Sequence, residues 1–383
     1  MQKTEGRRQK ADSKRNVLGP SLATTFCLLV TVIAVPTWAQ QKGWEKEWDE
    51  TLAAARKEGR VVVANSPDPV MREIAAKFEA RFGITLEHIA GRSGEIVARL
   101  RSERQAGLHT IDIFMPGMDP AGPVLYPEKM LDPLKPLLIL PQVVGPSKWK
   151  RGKPWFVDPE ERYVLRVFNH ITAIFYMNTD YAKPGEIRSA KDLLNPKWKG
   201  KIAVEDPTTA GSGSNQAARI YAQLGEEFFK KLYLEQKPVI TRERRQLTDW
   251  LARGTYPIAF NAQRSDIERM RREGFPIVDV LALPDLPGAL TGSPWLLTLM
   301  KGAPHPNAAR VFANWIVSKE ALESYSRGEG SPTLRTDVDE SFLRPEVIPR
   351  PGVKFFDTYG WEWTVTERQK VKERIKEIMR ARP

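Results

Sequence analysis

The sequence predicts an α/β chain of two doubly wound lobes. Three observations predict it. Strand and helix patterns alternate from Trp44 to Met115. A second alternation runs from Lys201 to Leu283. Between them, the β-rich run Tyr163 to Asn178 is too long for one ordinary strand, so it is read as two strands that meet near Asn169-His170 and cross between lobes.

Residues 1–39 stand apart from the fold. Lys3, Arg7, Arg8, Lys10, Lys14 and Arg15 make a basic start, and Phe26 to Val35 is a short apolar core. Thr37-Trp38-Ala39 then offers small residues at the −3 and −1 positions of a cleavage site, the layout of a secretory signal peptide. Cys27, the only cysteine, lies inside that leader, so the mature chain has no disulfide, thiol nucleophile or cysteine metal site. The leader holds six basic and two acidic residues, and without it the formal charge falls from +12 to +8. Both signs are interspersed along the helices. There is no basic stripe with interleaved aromatics, so a nucleic-acid partner is not expected.

The first lobe is assigned to residues 40–170. Trp44, Trp48, Leu52 and Ala55 share one helical face, closed by Gly59. Val61 to Ala64 is a buried strand, and Asn65 to Pro69 a loop. Met71, Ile74, Phe78 and Phe82 make the next helical face, and Ile84 to Ile89 the next strand. Gly91-Arg92-Ser93-Gly94 turns a polar corner into a helix carrying Ile96, Val97 and Leu100. Such a corner either cradles an anion on free N–H groups or is capped by Ser93. Ile111 to Met115 is a third strand. Residues 116–160 are rich in proline and read as a meandering connection.

The second lobe is assigned to residues 171–287. Lys201 to Val204 is a strand, and the loop Thr208 to Asn215 opens a helix through Ala217, Ile220 and Leu224. Phe228 to Tyr233 and Leu247 to Leu251 form further helices. Tyr256 to Phe260 is a strand that delivers Asn261-Ala262-Gln263-Arg264. Ser265 and Glu268 read as a capping box, and Ile277 to Leu283 as the last strand. Residues 288–383 return to the first lobe. Trp295 to Met300 is a strand, Pro306 starts a helix, and a C-terminal helix with Val371, Ile375, Ile378 and Met379 on one face is expected to lie on the first lobe.

Enzyme signatures are missing from the sequence. There is no G-x-S-x-G, Walker A, G-x-G-x-x-G or H-E-x-x-H motif, and Ser147 to Lys150 matches S-x-x-K without companions. The pair Glu205-Asp206 at a strand end reads as a turn. Binding, with no cofactor and no catalysis, is therefore expected.

The runs Glu58 to Val63, Gly91 to Glu95, Phe175 to Thr179, Asp192 to Lys201 and Ala303 to Ala309 resemble the periplasmic solute-binding proteins of bacterial ABC importers. More narrowly they are similar to the family that includes the iron(III)-binding proteins. The resemblance implies the type II periplasmic binding protein fold, ligand capture by closure of a hinged cleft, a periplasmic location and delivery to a membrane permease. Iron-binding members resemble one another in an adjacent tyrosine pair after a second-lobe strand. The comparable place here holds Asn261-Ala262-Gln263-Arg264, an amide and a guanidinium rather than the hard phenolates that suit iron(III).

The expected ligand is a small anion, held by a monomeric chain. Ser66, Arg92, Ser93, Gly94 and Met115 of the first lobe would face Thr209, Gly211, Ser212, Gly213 and Arg264 of the second, with Trp295 beside them. Phe114 and Arg335 are further lining candidates. Two helix N-termini and two arginines would make the cleft electropositive. Iron(III) with a bound anion, a secreted hydrolase and a receptor's sensor subunit are the alternatives.

Overall fold

The computed structural model describes residues 37–382 apart from Ala210 and Pro351, with side chains from Gly43 onward. The predicted leader up to residue 36, with Cys27, lies outside the described residues. The first helix, Thr37–Glu58, packs Trp44, Trp48, Leu52 and Ala55 on the first-lobe core, as their spacing predicts. No described helix is long and apolar enough to cross a membrane.

β1 (Arg60–Asn65) is buried over five of its six residues, the mark of a central parallel strand. The helix Val70–Phe82 ends on Gly83, whose φ of 66° and N–H bond to the Glu79 carbonyl close it. β2 (Thr85–Ala90), the helix Ser93–Gln105 and β3 (Ile113–Met115) complete the first winding. The proline-rich connection carries β4 (Leu131–Asp132), β5 (Trp155–Phe156) and short helical segments such as Ala121–Leu125 and Pro141–Val144. The long β-rich run then divides into three strands rather than two: β6 (Leu165–Arg166), β7 (His170–Thr172) and β8 (Phe175–Asn178), each belonging to a different sheet group.

The second winding holds β9 (Ile202–Glu205), β10 (Val239–Thr241), β11 (Ile258–Phe260) and β12 (Ile277–Val280). β13 (Ala289–Thr291), β14 (Leu296–Met300) and β15 (Phe356–Asp357) follow. One sheet runs in the order β2-β1-β3-β14-β6-β5, with β4 beside β14, and the other in the order β10-β9-β11-β8-β12. In each sheet a parallel trio meets an antiparallel neighbour: β14 against β3, and β8 against β11. The crossing strands β7 and β13 pair antiparallel, with His170 opposite Thr291 and Thr172 opposite Ala289. β15 joins them in parallel through Ala289 opposite Phe356.

Each sheet has its own core. Phe78 centres the first, with ring centroids 5.1 Å from Phe82 and 5.4 Å from both Phe312 and Trp315. Phe175 meets Phe260 at 5.3 Å in the second.

Two expectations need correction. The C-terminal helix, Arg368–Arg380, does not lie on the first lobe; Ile375 and Ile378 are buried in the second-lobe core beside the helix Ser212–Lys230. The capping box at Ser265 is not used either, because the helix starts at Arg264, with Gln263 in the cap position. Gly225 (φ 84°) breaks the run Ser212–Lys230 where the sequence divides it into two helices.

Candidate functional site

The loops that leave the carboxyl ends of the parallel strands carry the polar residues, as open α/β sheets require of a ligand site. In the first lobe, β1 leads to Asp68, β2 to Arg92 and β3 to Asp119. In the second, β9 leads to Asp206 and Gly211, β10 to Arg242 and Glu243, and β11 to Asn261 and Arg264.

Local chemistry fixes the second-lobe loops. The Asp206 carboxylate accepts from the Thr208 N–H at 2.8 Å and from Arg242 Nε at 2.9 Å. A Cβ on Gly213 would lie 2.6 Å from the Asp206 carbonyl oxygen and 2.9 Å from that of Glu205, so only glycine lets this helix start so close to β9. Asn261 sits at φ 62°, a left-handed turn that asparagine tolerates, and its amide donates to the Ser212 carbonyl at 3.2 Å. Arg244 braces the same turn, donating to the carbonyls of Asn261 at 3.0 Å and Ala262 at 3.3 Å.

The lobes meet through these loops. Arg264 donates through Nη2 to the carbonyl of Gly330, just past the first-lobe helix Lys319–Glu329. Arg92 and Glu243 face each other at 3.8 Å, both mostly exposed, so the pair adds little by itself. At the side, Asp119 accepts from Arg368 at 2.5 Å and Lys372 at 3.0 Å. Burial pushes Asp119 up, but those two cations hold it below its ordinary value.

Two acids also face this space. Asp68 accepts from the Val70 N–H at 2.9 Å and from the Tyr325 hydroxyl, and burial pushes it up to about 6. Burial and the neighbouring Asp68 push Glu329 up to about 7, against the pull of Arg264 and Arg244. Burial lowers the guanidinium of Arg264 from its usual value. His170, on crossing strand β7, is held well below the usual imidazole range by burial and by the charges of Arg264 and Arg166.

Of the sequence-predicted residues, Arg92, Ser93 and Gly94 sit at one helix start of the first lobe, and Thr209, Gly211, Ser212 and Gly213 at one of the second. Gly94 has open space around it, and Ser66 is exposed on the loop after β1. Three lining candidates are packed inside instead: Phe114 is 0%, Met115 2% and Trp295 1% exposed. Strand alternation and the aromatic contacts of Trp295 with Phe168 and Tyr325 turn them into the core. Arg335 does not face the cleft; its guanidinium is buried against Asp337 and donates to the carbonyls of Val317 and Gln142. Ser93 is not the helix cap, since Arg92 takes that position and its N–H is satisfied by the Glu95 carboxylate at 3.0 Å.

The expected electropositive cleft is mixed in sign. Sequence reading missed Asp68, Arg244 and Glu329. Asp68 and Arg244 lie within a few residues of strand carboxyl ends, a signal that was legible. Glu329 comes from a helix end and gave none. A separate cavity of about 540 Å³ lies under the first helix, lined by Trp44, Trp48, Phe82, Leu140 and Trp315. Its aromatic walls carry none of the groups that join the lobes.

Residues 73–348 match the family described as bacterial extracellular solute-binding proteins. An uncharacterized protein of Haemophilus influenzae is 26% identical over 307 residues, which cover 75% of this chain and 81% of that one. Two solved structures share the fold. One is the periplasmic binding protein AfuA of Actinobacillus pleuropneumoniae with exogenous fructose-6-phosphate bound, at TM-score 0.65 and 21% identity, covering 84% of this chain and 99% of AfuA. The other is iron-bound HitA of Pseudomonas aeruginosa, at TM-score 0.62 and 15% identity, covering 82% of this chain and 99% of HitA. With its two α/β sheets, crossing strands and facing polar loops, the chain belongs to the bacterial extracellular solute-binding protein family, with the type II periplasmic binding protein fold.

Proposed function

We propose that the chain captures a small anionic solute between its lobes and hands it to the membrane permease of an ABC importer, working as a monomer in the periplasm. The observation that carries this reading is the Arg264 guanidinium. It stands at a helix start on the second lobe, braced by a turn that Arg244 holds, and reaches the first lobe. Only its Nη2 is spent on a described hydrogen bond, so the rest of the planar fork is free to grip a carboxylate or phosphate in two-point fashion. The helix start at Gly211–Gly213 and the corner Arg92–Gly94 add N–H groups and dipole ends. Phosphorylated ligands such as the one bound by AfuA fit this chemistry.

The test is thermal melting against a panel of phosphates, phosphonates, carboxylates and sulfonates. A bound anion at about 100 times Kd adds roughly 2.7 kcal/mol of stability. Stabilisation by neutral sugars or polyamines alone would overturn the reading. Iron(III) is the second reading, favoured by the likeness to iron-bound HitA. A phenolate-to-iron absorption band in the purified protein would establish it; Tyr325, hydrogen-bonded to Asp68, is a candidate phenolate. The hydrolase alternative has no support in the family match.

A further inference from the structure

We infer that the bound anion also carries a protonated amine, and that Asp68 and Glu329 of the first lobe receive it. The inference rests on the anion reading above and adds the chemistry of the ligand's other end.

Asp68 and Glu329 come from different elements, the loop after β1 and the end of the helix Lys319–Glu329. Gly328 locks these elements together: a Cβ there would lie 2.5 Å from Val70 Cγ2, so the helix end is pressed on the residues that follow Asp68. Other carboxylates near the facing loops have partners of their own. Asp206 has Arg242, Asp119 has Arg368 and Lys372, Asp279 has Arg271 and Arg344, and Glu205, without an ion pair, accepts from the Ser212 hydroxyl. Among the described residues Asp68 and Glu329 take part in no ion pair. The Asp68 oxygens accept only from neutral donors, Val70 N–H and Tyr325, and the Glu329 carboxylate accepts no described hydrogen bond.

One further polar atom lacks a partner: His170, 5% exposed and close enough to feel the Arg264 charge, has a buried Nδ1 with no described hydrogen bond, where buried polar atoms are almost always paired. Two desolvated carboxylates side by side favour a cation between them, and the upward shift of both acids agrees with that need. An ammonium offers three donors and one charge, while the arginine fork across the cleft takes the anion. The ligand class is therefore a small amino-anion: an aminoalkyl phosphonate, an aminosulfonate, an amino acid or an amino-sugar phosphate.

Calorimetry on the full chain with matched pairs tests this: 2-aminoethylphosphonate against ethylphosphonate, taurine against ethanesulfonate, β-alanine against propionate, and glucosamine 6-phosphate against glucose 6-phosphate. At least one amino member should bind about tenfold or more tightly than its partner. Asp68→Asn and Glu329→Gln should abolish that preference, weakening the amino member of a pair and not its amine-free partner. Equal affinity within every pair that binds, or a preference that survives both variants, overturns the acid-pair assignment and leaves the anion reading standing. Binding of none of these anions overturns both. Should a variant fail to fold, the wild-type comparison within pairs still decides.

Discussion

Arg264 Nη2 lies 2.5 Å from the carbonyl oxygen of Gly330, so one second-lobe side chain fastens onto the end of a first-lobe helix. Truncating it removes both that bond and the proposed anion fork. Arg264→Ala should weaken anion binding about ten- to hundredfold, the loss of a charged hydrogen bond of about 1.5–3 kcal/mol. Circular dichroism should show the fold unchanged. Arg264→Lys keeps the charge but not the fork and should recover only part of the affinity. Equal affinity for wild type and Arg264→Ala takes this residue out of the site.

Stability should depend on pH through the acid pair. Burial raises Asp68 to about 6 and Glu329 to about 7, whereas unfolded carboxyls titrate near about 4. Between those values the folded chain holds protons that the unfolded chain has released. Their contribution is therefore complete at the acid end and is lost as pH rises towards about 7. Tyr325 and the Val70 N–H face Asp68, and Arg264 and Arg244 face Glu329. Lowered His170 works in the opposite direction, so the informative quantity is the difference between wild type and Glu329→Gln. Melting curves from about pH 5 to about pH 7.5 should fall more steeply for wild type. Parallel curves would show that Glu329 titrates normally.

Asp119 should be the costliest surface-loop acid to remove. Arg368 beside it keeps only 2% of its side chain exposed, and Lys372 12%. Asp119→Ala leaves both cations buried without their counter-ion, a situation that costs about 3–5 kcal/mol. Urea unfolding measures it, and a loss under about 1 kcal/mol would mean that water already reaches the pair.

The two glycine-bearing helix starts should respond oppositely to a methyl group. Gly213→Ala pushes against backbone oxygens 2.6 and 2.9 Å away and should cost about 1–3 kcal/mol, with weaker ligand binding. Gly94→Ala meets nothing within 4 Å and should be neutral or stabilising by up to about 1 kcal/mol. If the methyl at Gly94 leaves affinity untouched, the first-lobe corner does not contact the ligand.

Much of this architecture was legible from periodicity. Trp44, Trp48, Leu52 and Ala55, and the Gly83 stop, declared their helices because burial on one face imposes a fixed spacing. Arg264 was legible as a charged residue following β11. What escaped was long-range. Sequence places Met115 at a strand end, but only packing shows that its side chain turns inward. Glu329 becomes a site candidate because a helix end 261 residues from Asp68 in sequence is pressed against it through Gly328 and Val70. The C-terminal helix carried an apolar stripe, but a stripe does not name the face that will cover it.

The pairing of β15 with β13, which itself pairs with β7, has a mechanical consequence. Two antiparallel crossings alone form a ribbon that can both bend and twist, letting the halves of the molecule swivel as well as part. A third rung laid along that ribbon resists torsion far more than flexure. The terminal stretch after Val353 lays that rung through the Phe356 N–H on the Gly288 carbonyl and the Thr358 N–H on the Leu290 carbonyl, each at 3.0 Å, and so stiffens the crossing against twist.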